Sequence, residues 1–146
     1  AEMVCIESAV FDGLSDMLDE LDALGLPWGV VTNKPHQLTE PLLHALKLAE
    51  RSVCAISGDT LAVRKPDPAP VLLACDIAGV DPSTTIFVGD AERDIEAGRR
   101  AGTATIAAAY GYITDDDDPR EWDADVIATS TEELAQIVLK AVNLEG

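Results

Sequence analysis

The stretch TIFVGDAERDIEAGRRAG, residues 85–102, holds a short apolar run, a Gly-Asp pair and a helical segment that closes at glycine. The run 85–88 predicts a buried strand, and the segment 95–101 predicts a helix that ends at Gly102. A strand that passes through a turn into a helix is the unit from which sheets of parallel strands are built. This stretch therefore predicts an α/β fold.

The same unit recurs along the chain. Further strands are predicted at 28–31, 53–56, 103–108 and 126–128, and further helices at 14–24, after Pro35, after Pro68 and from Thr131. Helical spacing in the segment after Pro68 predicts a core-facing side made of Val71, Leu72, Cys75 and Ile77. The alternation predicts a Rossmann-like, doubly wound parallel sheet, whose functional site lies at the carboxyl ends of the strands.

Composition narrows the classes of function. The chain has 146 residues, which suits one domain, and its 27 acidic against 10 basic residues give a net charge of -17. Such a surface repels nucleic acids and anionic membranes, so neither is an expected partner. No apolar run reaches transmembrane length, and the odd, widely spaced cysteines form no disulfide framework. These features predict a cytoplasmic protein.

Two carboxylates follow the strand predicted at 85–88. Asp90 comes directly after the Gly89 turn, and Asp94 lies one helical turn later, so both can face one pocket. Mg²⁺ binds through one or two carboxylates together with water and phosphate oxygens. The pattern suits a magnesium site, and it suits equally a helix N-cap at Asp90 with Asp94 on the surface.

Polar residues also follow two other predicted strands. Thr32 and Asn33 stand between a strand and a helix start, where a hydroxyl and backbone N–H groups can hold an anion. Lys65, in a loop stiffened by Pro66, can neutralise charge on a transferring phosphoryl group. Taken singly, an ordinary turn and a surface lysine explain them as well. Because parallel strands end at one edge, Thr32 and Lys65 are expected in the same pocket as Asp90.

The order Thr32, Lys65-Pro66 and Gly89-Asp90 with Asp94 resembles the motif order of haloacid-dehalogenase-type phosphatases, and the resemblance covers nearly the whole chain. The segments similar to the phosphoglycolate-phosphatase branch are 30–35, 58–61, 65–68 and 88–90. The segments 110–113 and 122–126 are similar to the related bacterial N-acetylmuramate-6-phosphate phosphatases. The resemblance implies a Mg²⁺-dependent phosphomonoesterase acting on a small phosphorylated metabolite, either phosphoglycolate or a sugar phosphate such as N-acetylmuramic acid 6-phosphate.

The resemblance also implies roles for individual residues. Thr32 and the backbone of Asn33 would hold the phosphoryl oxygens. Lys65 would stabilise charge on the nucleophile and the phosphate, which makes Thr32 and Lys65 the implied catalytic residues. Asp90 would ligate Mg²⁺, and Asp94 would support the metal directly or through water.

One family motif has no counterpart in the sequence. The family's nucleophile is the first aspartate of an Asp-x-Asp-Gly-Thr motif on a central strand, whereas the most similar string, AVFDGL at 9–14, has a single aspartate. The resemblance implies that 1–13 are the end of a helical cap and its linker, and that 14–146 are a partial catalytic core. It thus implies an N-terminally truncated chain without the first strand and the cap, and inactive by itself.

Absence of a central strand would leave backbone groups of its neighbours unpaired, at a cost of roughly 1–3 kcal/mol each. The sheet is therefore expected to be marginal, or to be completed by a missing N-terminal segment, by another chain, or by its own residues 4–10.

Two other classes of protein are alternatives to a phosphatase. A signalling receiver domain has its acidic residues before the Thr and Lys, opposite to the order here. A non-catalytic α/β domain that binds phosphate or a partner remains an alternative.

Overall fold

The fold is a parallel sheet in the order β3-β2-β1-β4-β5-β6, in a computed structural model that describes residues 2–7, 14–45, 51–110 and 118–143. The strands of this described part are β1 (Met3–Ile6), β2 (Trp28–Val31), β3 (Ala55–Ile56), β4 (Thr85–Gly89), β5 (Ala104–Ala108) and β6 (Val126–Ala128). Every neighbouring pair runs parallel. The predicted doubly wound α/β fold is confirmed.

Helices cover both faces of the sheet. They are α1 (Ser15–Ala23), α2 (His36–Ala45), α3 (Ala69–Ala78), α4 (Glu92–Ala101) and α5 (Thr131–Asn143). Successive strand residues point to opposite faces, so one core packs against α1 and α5 and the other against α3 and α4. None of the described helices has the length and apolar character to cross a membrane.

The three cysteines belong to the core on the α3 side. Cys5 lies on β1, Cys54 precedes β3 and Cys75 lies on α3, and all three are buried free thiols. Burial raises the pKa of Cys5 well above its usual range, raises that of Cys54 to about 11, and raises that of Cys75 as well. The thiols are therefore neutral core groups at physiological pH.

The central strand β1 corrects one expectation. Met3–Ile6 pairs with β2 on one side and β4 on the other, in the position where the sequence predicted a gap, so these four residues are sheet and not linker. All four side chains are fully buried. The reason is that an uninterrupted apolar run is what a strand covered on both faces requires. Of the expected ways to complete the sheet, the structure shows the one that uses the chain's own N-terminal residues. Residues 8–13 lie outside the described part.

The carboxyl ends of the strands meet at one edge of the sheet. Glu7 follows β1, Thr32 follows β2 and Asp90 follows β4, so three polar residues come together there. A further contact closes this edge, because the Gly58 N–H donates to Lys34 O over 2.7 Å. A Cβ atom at Gly58 would lie 2.0 Å from Asn33 O, so only glycine fits this approach.

A substitution in β1 tests its central place. We expect Ile6→Ala to lower the free energy of unfolding by about 2–5 kcal/mol, because it opens a cavity in a fully packed core. Leu38→Ala is the control: Leu38 is 62% exposed, and its loss should change stability by less than about 0.5 kcal/mol. Urea denaturation of both variants provides the measurement. Equal, small effects would place residues 3–6 outside the core.

Candidate functional site

A pocket of about 270 Å³ opens at the carboxyl edge of the sheet, between the loops that follow β1, β2 and β4. Its lining residues are Glu7, Thr32, Asn33, Lys34, Asp90 and Arg93. Three of these, Thr32, Asn33 and Asp90, were predicted site residues, and the fold brings them together because parallel strands share one edge.

Lys65 lies beneath this pocket and is buried, with only 3% of its surface exposed. Its Nζ forms an ion pair with the Glu7 carboxylate, donates to Asp94 Oδ1 over 2.6 Å, and donates to the backbone carbonyl of Val31 over 2.9 Å. An ammonium group has three hydrogens to donate. All three are used within the protein, so Lys65 acts on the site through the carboxylates that it holds.

Asp94 is fully buried and holds the start of α4. One oxygen accepts from Lys65, and Oδ2 accepts from the backbone N–H groups of Asp90 at 3.1 Å and Ala91 at 3.2 Å. A Cβ atom at Gly89 would lie 2.2 Å from the Cβ of Asp94, so glycine permits this close packing. Asp94 lies beside Asp90, but it does not line the pocket that the two carboxylates were expected to share. Both of its oxygens are engaged within the protein, and it orients the backbone that carries Asp90.

Thr32 and Asn33 organise the loop after β2. Thr32 Oγ1 accepts from the Lys34 N–H over 3.2 Å, which fixes the turn into α2. The Asn33 side chain donates to Lys65 O and accepts from the Lys65 N–H, both over 3.1 Å. Asn33 therefore locks the Lys65 loop in place, which its sequence position did not indicate.

Negative charge accumulates around Asp90. Partial burial, together with the neighbouring carboxylates of Asp94 and Glu7, raises the pKa of Asp90 to about 6. Burial and the charge of Asp90 raise the pKa of Tyr110 to about 12. The Tyr110 hydroxyl has no hydrogen-bond partner among the described residues. A cation bound at this place would relieve the repulsion between the carboxylates.

These residues fit Mg²⁺. Asp90 and Glu7 offer carboxylate oxygens to the same pocket, and Mg²⁺ takes its remaining ligands from water and phosphate. Within the described ranges, no group of three or more His, Cys, Asp or Glu side chains is arranged to hold a metal. A group of three or more such side chains is needed only by ions whose ligands all come from the protein. Mg²⁺ is seldom bound in that way, since it keeps water and phosphate ligands.

Sequence reasoning missed three lining residues: Glu7, Lys34 and Arg93. The signal for Glu7 was present, since it is the first polar residue after the apolar run 3–6. The same rule identified Thr32 and Asp90. Lys34 and Arg93 stand next to predicted site residues, but no spacing rule distinguishes them from other surface cations.

The family model for haloacid dehalogenase-like hydrolases matches residues 1–102, and the chain belongs to this family. N-acetylmuramic acid 6-phosphate phosphatase of Pseudomonas aeruginosa is 45% identical over 141 residues, which are 97% of this chain and 62% of the relative. Phosphoglycolate phosphatase of Xanthomonas campestris pv. campestris is 45% identical over 128 residues, which are 88% of this chain and 58% of that relative.

Solved structures agree on the fold. The crystal structure of a predicted phosphoglycolate phosphatase from Haemophilus somnus 129PT superposes with a TM-score of 0.78 at 31% identity, covering 86% of this chain and 55% of that chain. A haloacid-dehalogenase-superfamily hydrolase from Ehrlichia chaffeensis has a TM-score of 0.75 at 23% identity and supports the fold alone. The chain spans about three-fifths of the length of the curated relatives it matches, at 62%, 61% and 58%.

Removing the Lys65 charge tests the buried ion cluster. We expect Lys65→Met to lower the free energy of unfolding by about 3–5 kcal/mol, because Glu7 and Asp94 would be left as unpaired buried carboxylates. The triple variant Lys65→Met, Glu7→Gln, Asp94→Asn removes those charges and should recover part of the loss. Lys140→Met, at an exposed position of α5, is the control. A triple variant less stable than Lys65→Met would contradict this account.

Asp90 gives a pH-dependent test. A folded-state pKa of about 6 lies above the ordinary value of about 3.9, so the fold disfavours the ionised form. The resulting cost is present above pH 6 and disappears as the pH falls towards 4. Asp90→Asn should therefore raise the free energy of unfolding at pH 7.5 by on the order of 1 kcal/mol, since solvent screens this partly exposed carboxyl group, and by less at pH 4.5.

Mg²⁺ completes the Asp90 test. Saturating Mg²⁺ should raise the melting temperature of the unaltered protein at pH 7.5 and leave that of Asp90→Asn unchanged, because the cation relieves the carboxylate repulsion only where Asp90 is present. Asp76→Asn, an exposed carboxylate on α3, should behave like the unaltered protein. A lower stability of Asp90→Asn at pH 7.5 would disprove the crowding of charge around Asp90.

Proposed function

We propose that this chain is the phosphoryl-binding core of a Mg²⁺-dependent phosphomonoesterase that acts on a small phosphorylated metabolite. The observation that carries the proposal is the convergence of Thr32, Lys65 and Asp90, from three separate loops, on one pocket and the ion cluster beneath it. Relatives that are phosphatases support the reaction class. The buried, free cysteines and the acidic surface suit a cytoplasmic protein that binds neither nucleic acid nor membrane.

Two substrates are proposed, phosphoglycolate and N-acetylmuramic acid 6-phosphate. The second is favoured by the extent of the match, because 97% of this chain aligns with the N-acetylmuramic acid 6-phosphate phosphatase and 88% with the phosphoglycolate phosphatase, at the same identity. The two compounds share a phosphate ester and a carboxylic acid. We take that combination as the proposed substrate class.

Each residue has a proposed part in phosphoryl transfer. Thr32 and the backbone at the start of α2 would hold phosphoryl oxygens in line for displacement. Mg²⁺, when bound, neutralises charge that develops on the phosphoryl group, and Asp90 would hold it. Asp94 keeps Asp90 in position by accepting from its backbone N–H. Lys65 is a positioning residue, since its donors are all committed to Glu7, Asp94 and Val31.

Glu7 is the carboxylate that the structure offers at the end of the central strand. It lines the pocket, but its Oε2 is tied to Lys65 in a buried ion pair, which lowers its strength as a nucleophile. Covalent phosphoryl transfer also requires a second acid to protonate the leaving group. In the described part of the pocket the remaining carboxylate is Asp90, the proposed metal ligand. We therefore propose that residues 1–146 alone do not turn over substrate.

Phosphate binding and turnover are the two measurements that test this function. In calorimetric titrations, inorganic phosphate should bind residues 1–146 only with Mg²⁺ present, and Thr32→Val or Asp90→Asn should weaken binding about tenfold or more, whereas Asp76→Asn should not. No release of phosphate is expected from either proposed substrate. Adding the part of the Pseudomonas aeruginosa relative that this chain does not match should produce turnover that Asp90→Asn abolishes.

Three results would change the proposal. Absence of phosphate binding together with an inactive chimera would overturn the phosphatase function. Phosphate binding with an inactive chimera would favour a non-catalytic phosphate-binding domain. Mg²⁺-dependent turnover by residues 1–146, lost in both Glu7→Gln and Asp90→Asn, would identify Glu7 as the nucleophile and disprove the proposed inactivity.

A further inference from the structure

Lys34 and Arg93 are exposed cations on the rim of the pocket, and their side chains are uncommitted. Neither side chain makes a hydrogen bond or ion pair with any other residue in the described ranges. Three arginines of the described ranges differ in this respect: Arg51 pairs with Asp19 and Asp22, Arg99 with Asp123, and Arg120 with Asp118. The chain as a whole has a net charge of -17, so two unpaired cations at one concave site differ from its generally acidic character.

The backbones that carry these cations are firmly held. The Lys34 N–H donates to Thr32 Oγ1, and Lys34 O accepts from the Gly58 N–H at 2.7 Å and from Thr39 Oγ1 at 3.3 Å. Arg93 lies in the first turn of α4, directly before the anchored Asp94. The two side chains therefore start from fixed points on opposite sides of the pocket. Fixed starting points reduce the entropy that each side chain loses on binding an anion.

The charges around the pocket indicate what these cations bind. The phosphoryl group is provided for by Thr32, the α2 backbone and the metal proposed at Asp90. Lys34 and Arg93 add two positive charges beyond that set, enough for one further anionic group. A guanidinium binds carboxylate and phosphate in the same bidentate way, so geometry alone admits either group. Both proposed substrates carry a carboxylate besides the phosphate, so a carboxylate is the second anionic group that these cations would meet.

We propose that Lys34 and Arg93 are specificity-determining residues that bind a carboxylate of the substrate. The pocket then selects phosphomonoesters that also carry a carboxylate over analogues in which the carboxylate is replaced by an uncharged group. This inference rests on the proposed phosphatase function and deepens it, because it assigns the second anionic group of the substrate to particular side chains.

Calorimetry with three non-hydrolysable probes, in the presence of Mg²⁺, tests the assignment without requiring turnover. The probes are 3-phosphonopropionate, which has a carboxylate; propylphosphonate, which has a methyl group in its place; and ethane-1,2-bisphosphonate, which has a second phosphonate. The protein should bind 3-phosphonopropionate about tenfold more tightly than propylphosphonate, the size expected for charge-assisted hydrogen bonds. It should also prefer 3-phosphonopropionate to the bisphosphonate.

Variants then locate the preference. Arg93→Gln and Lys34→Gln should each reduce the tenfold advantage of the carboxylate, and the double variant should remove it, with the affinity for propylphosphonate changed less than about twofold. Arg99→Gln, farther along α4 and paired with Asp123, should keep the full advantage.

The outcomes separate this inference from the proposed function. An unchanged advantage in the double variant, or tighter binding of the bisphosphonate, overturns the carboxylate assignment and leaves the phosphatase function standing. If the unaltered protein binds none of the three probes, the phosphoryl site itself is disproved and the inference falls with it.

Discussion

The buried ammonium of Lys65 is the interaction on which the functional edge depends. It joins Glu7 at the end of β1, Val31 at the end of β2 and Asp94 in the first turn of α4. Burying one cation between two carboxylates is costly in a medium of low polarity, and the cost is offset only when every hydrogen-bonding position is used. One atom, Lys65 Nζ, therefore fixes the positions of the three segments relative to one another. The geometry of the pocket above depends on these positions.

The cations of the site therefore have two different roles. Lys65 is enclosed and saturated, so it sets geometry and the local charge of two carboxylates. Lys34 and Arg93 are anchored through their backbones and free at their ends, so they can meet a ligand. Asp94 also has a supporting role: one of its oxygens accepts a hydrogen bond from Lys65, and the other accepts one from the backbone N–H of Asp90. Residues that hold the site in place are thus different from residues that can contact a ligand, although both kinds belong to the same short motifs.

Much of the fold could be predicted from the sequence, because apolar runs that end in polar turns define buried parallel strands. The runs 28–31 and 126–128 match β2 and β6 as observed. Helical spacing was less reliable about faces, since it predicts Leu72 and Ile77 in the core whereas they are 41% and 51% exposed. A wide apolar stripe shows which side of a helix faces the core, but it does not show how far the burial extends around the helix. The sheet covers only part of α3, so the residues at the border of its stripe stay exposed.

The candidate site was predictable in position more than in detail. The edge rule placed Thr32, Asn33 and Asp90 in one pocket, because parallel topology alone brings strand ends together. It could not show that Lys65 would be enclosed, since that depends on which carboxylates surround its ammonium group. Glu7 was missed because resemblance assigned its segment to a linker. The apolar run before it, taken by itself, indicated a strand.

The three buried cysteines give the protein internal reporters of local opening. Cys5, Cys54 and Cys75 lie in one core, on the central strand, beside the edge strand and on the helix that covers them. Their burial raises each thiol pKa, so in the closed state they are both shielded and protonated. A thiol reagent can react only when that half of the molecule separates, and Cys54, at the rim with 9% of its surface exposed, should react before Cys5. The rate of modification therefore follows the separation of α3 from the sheet.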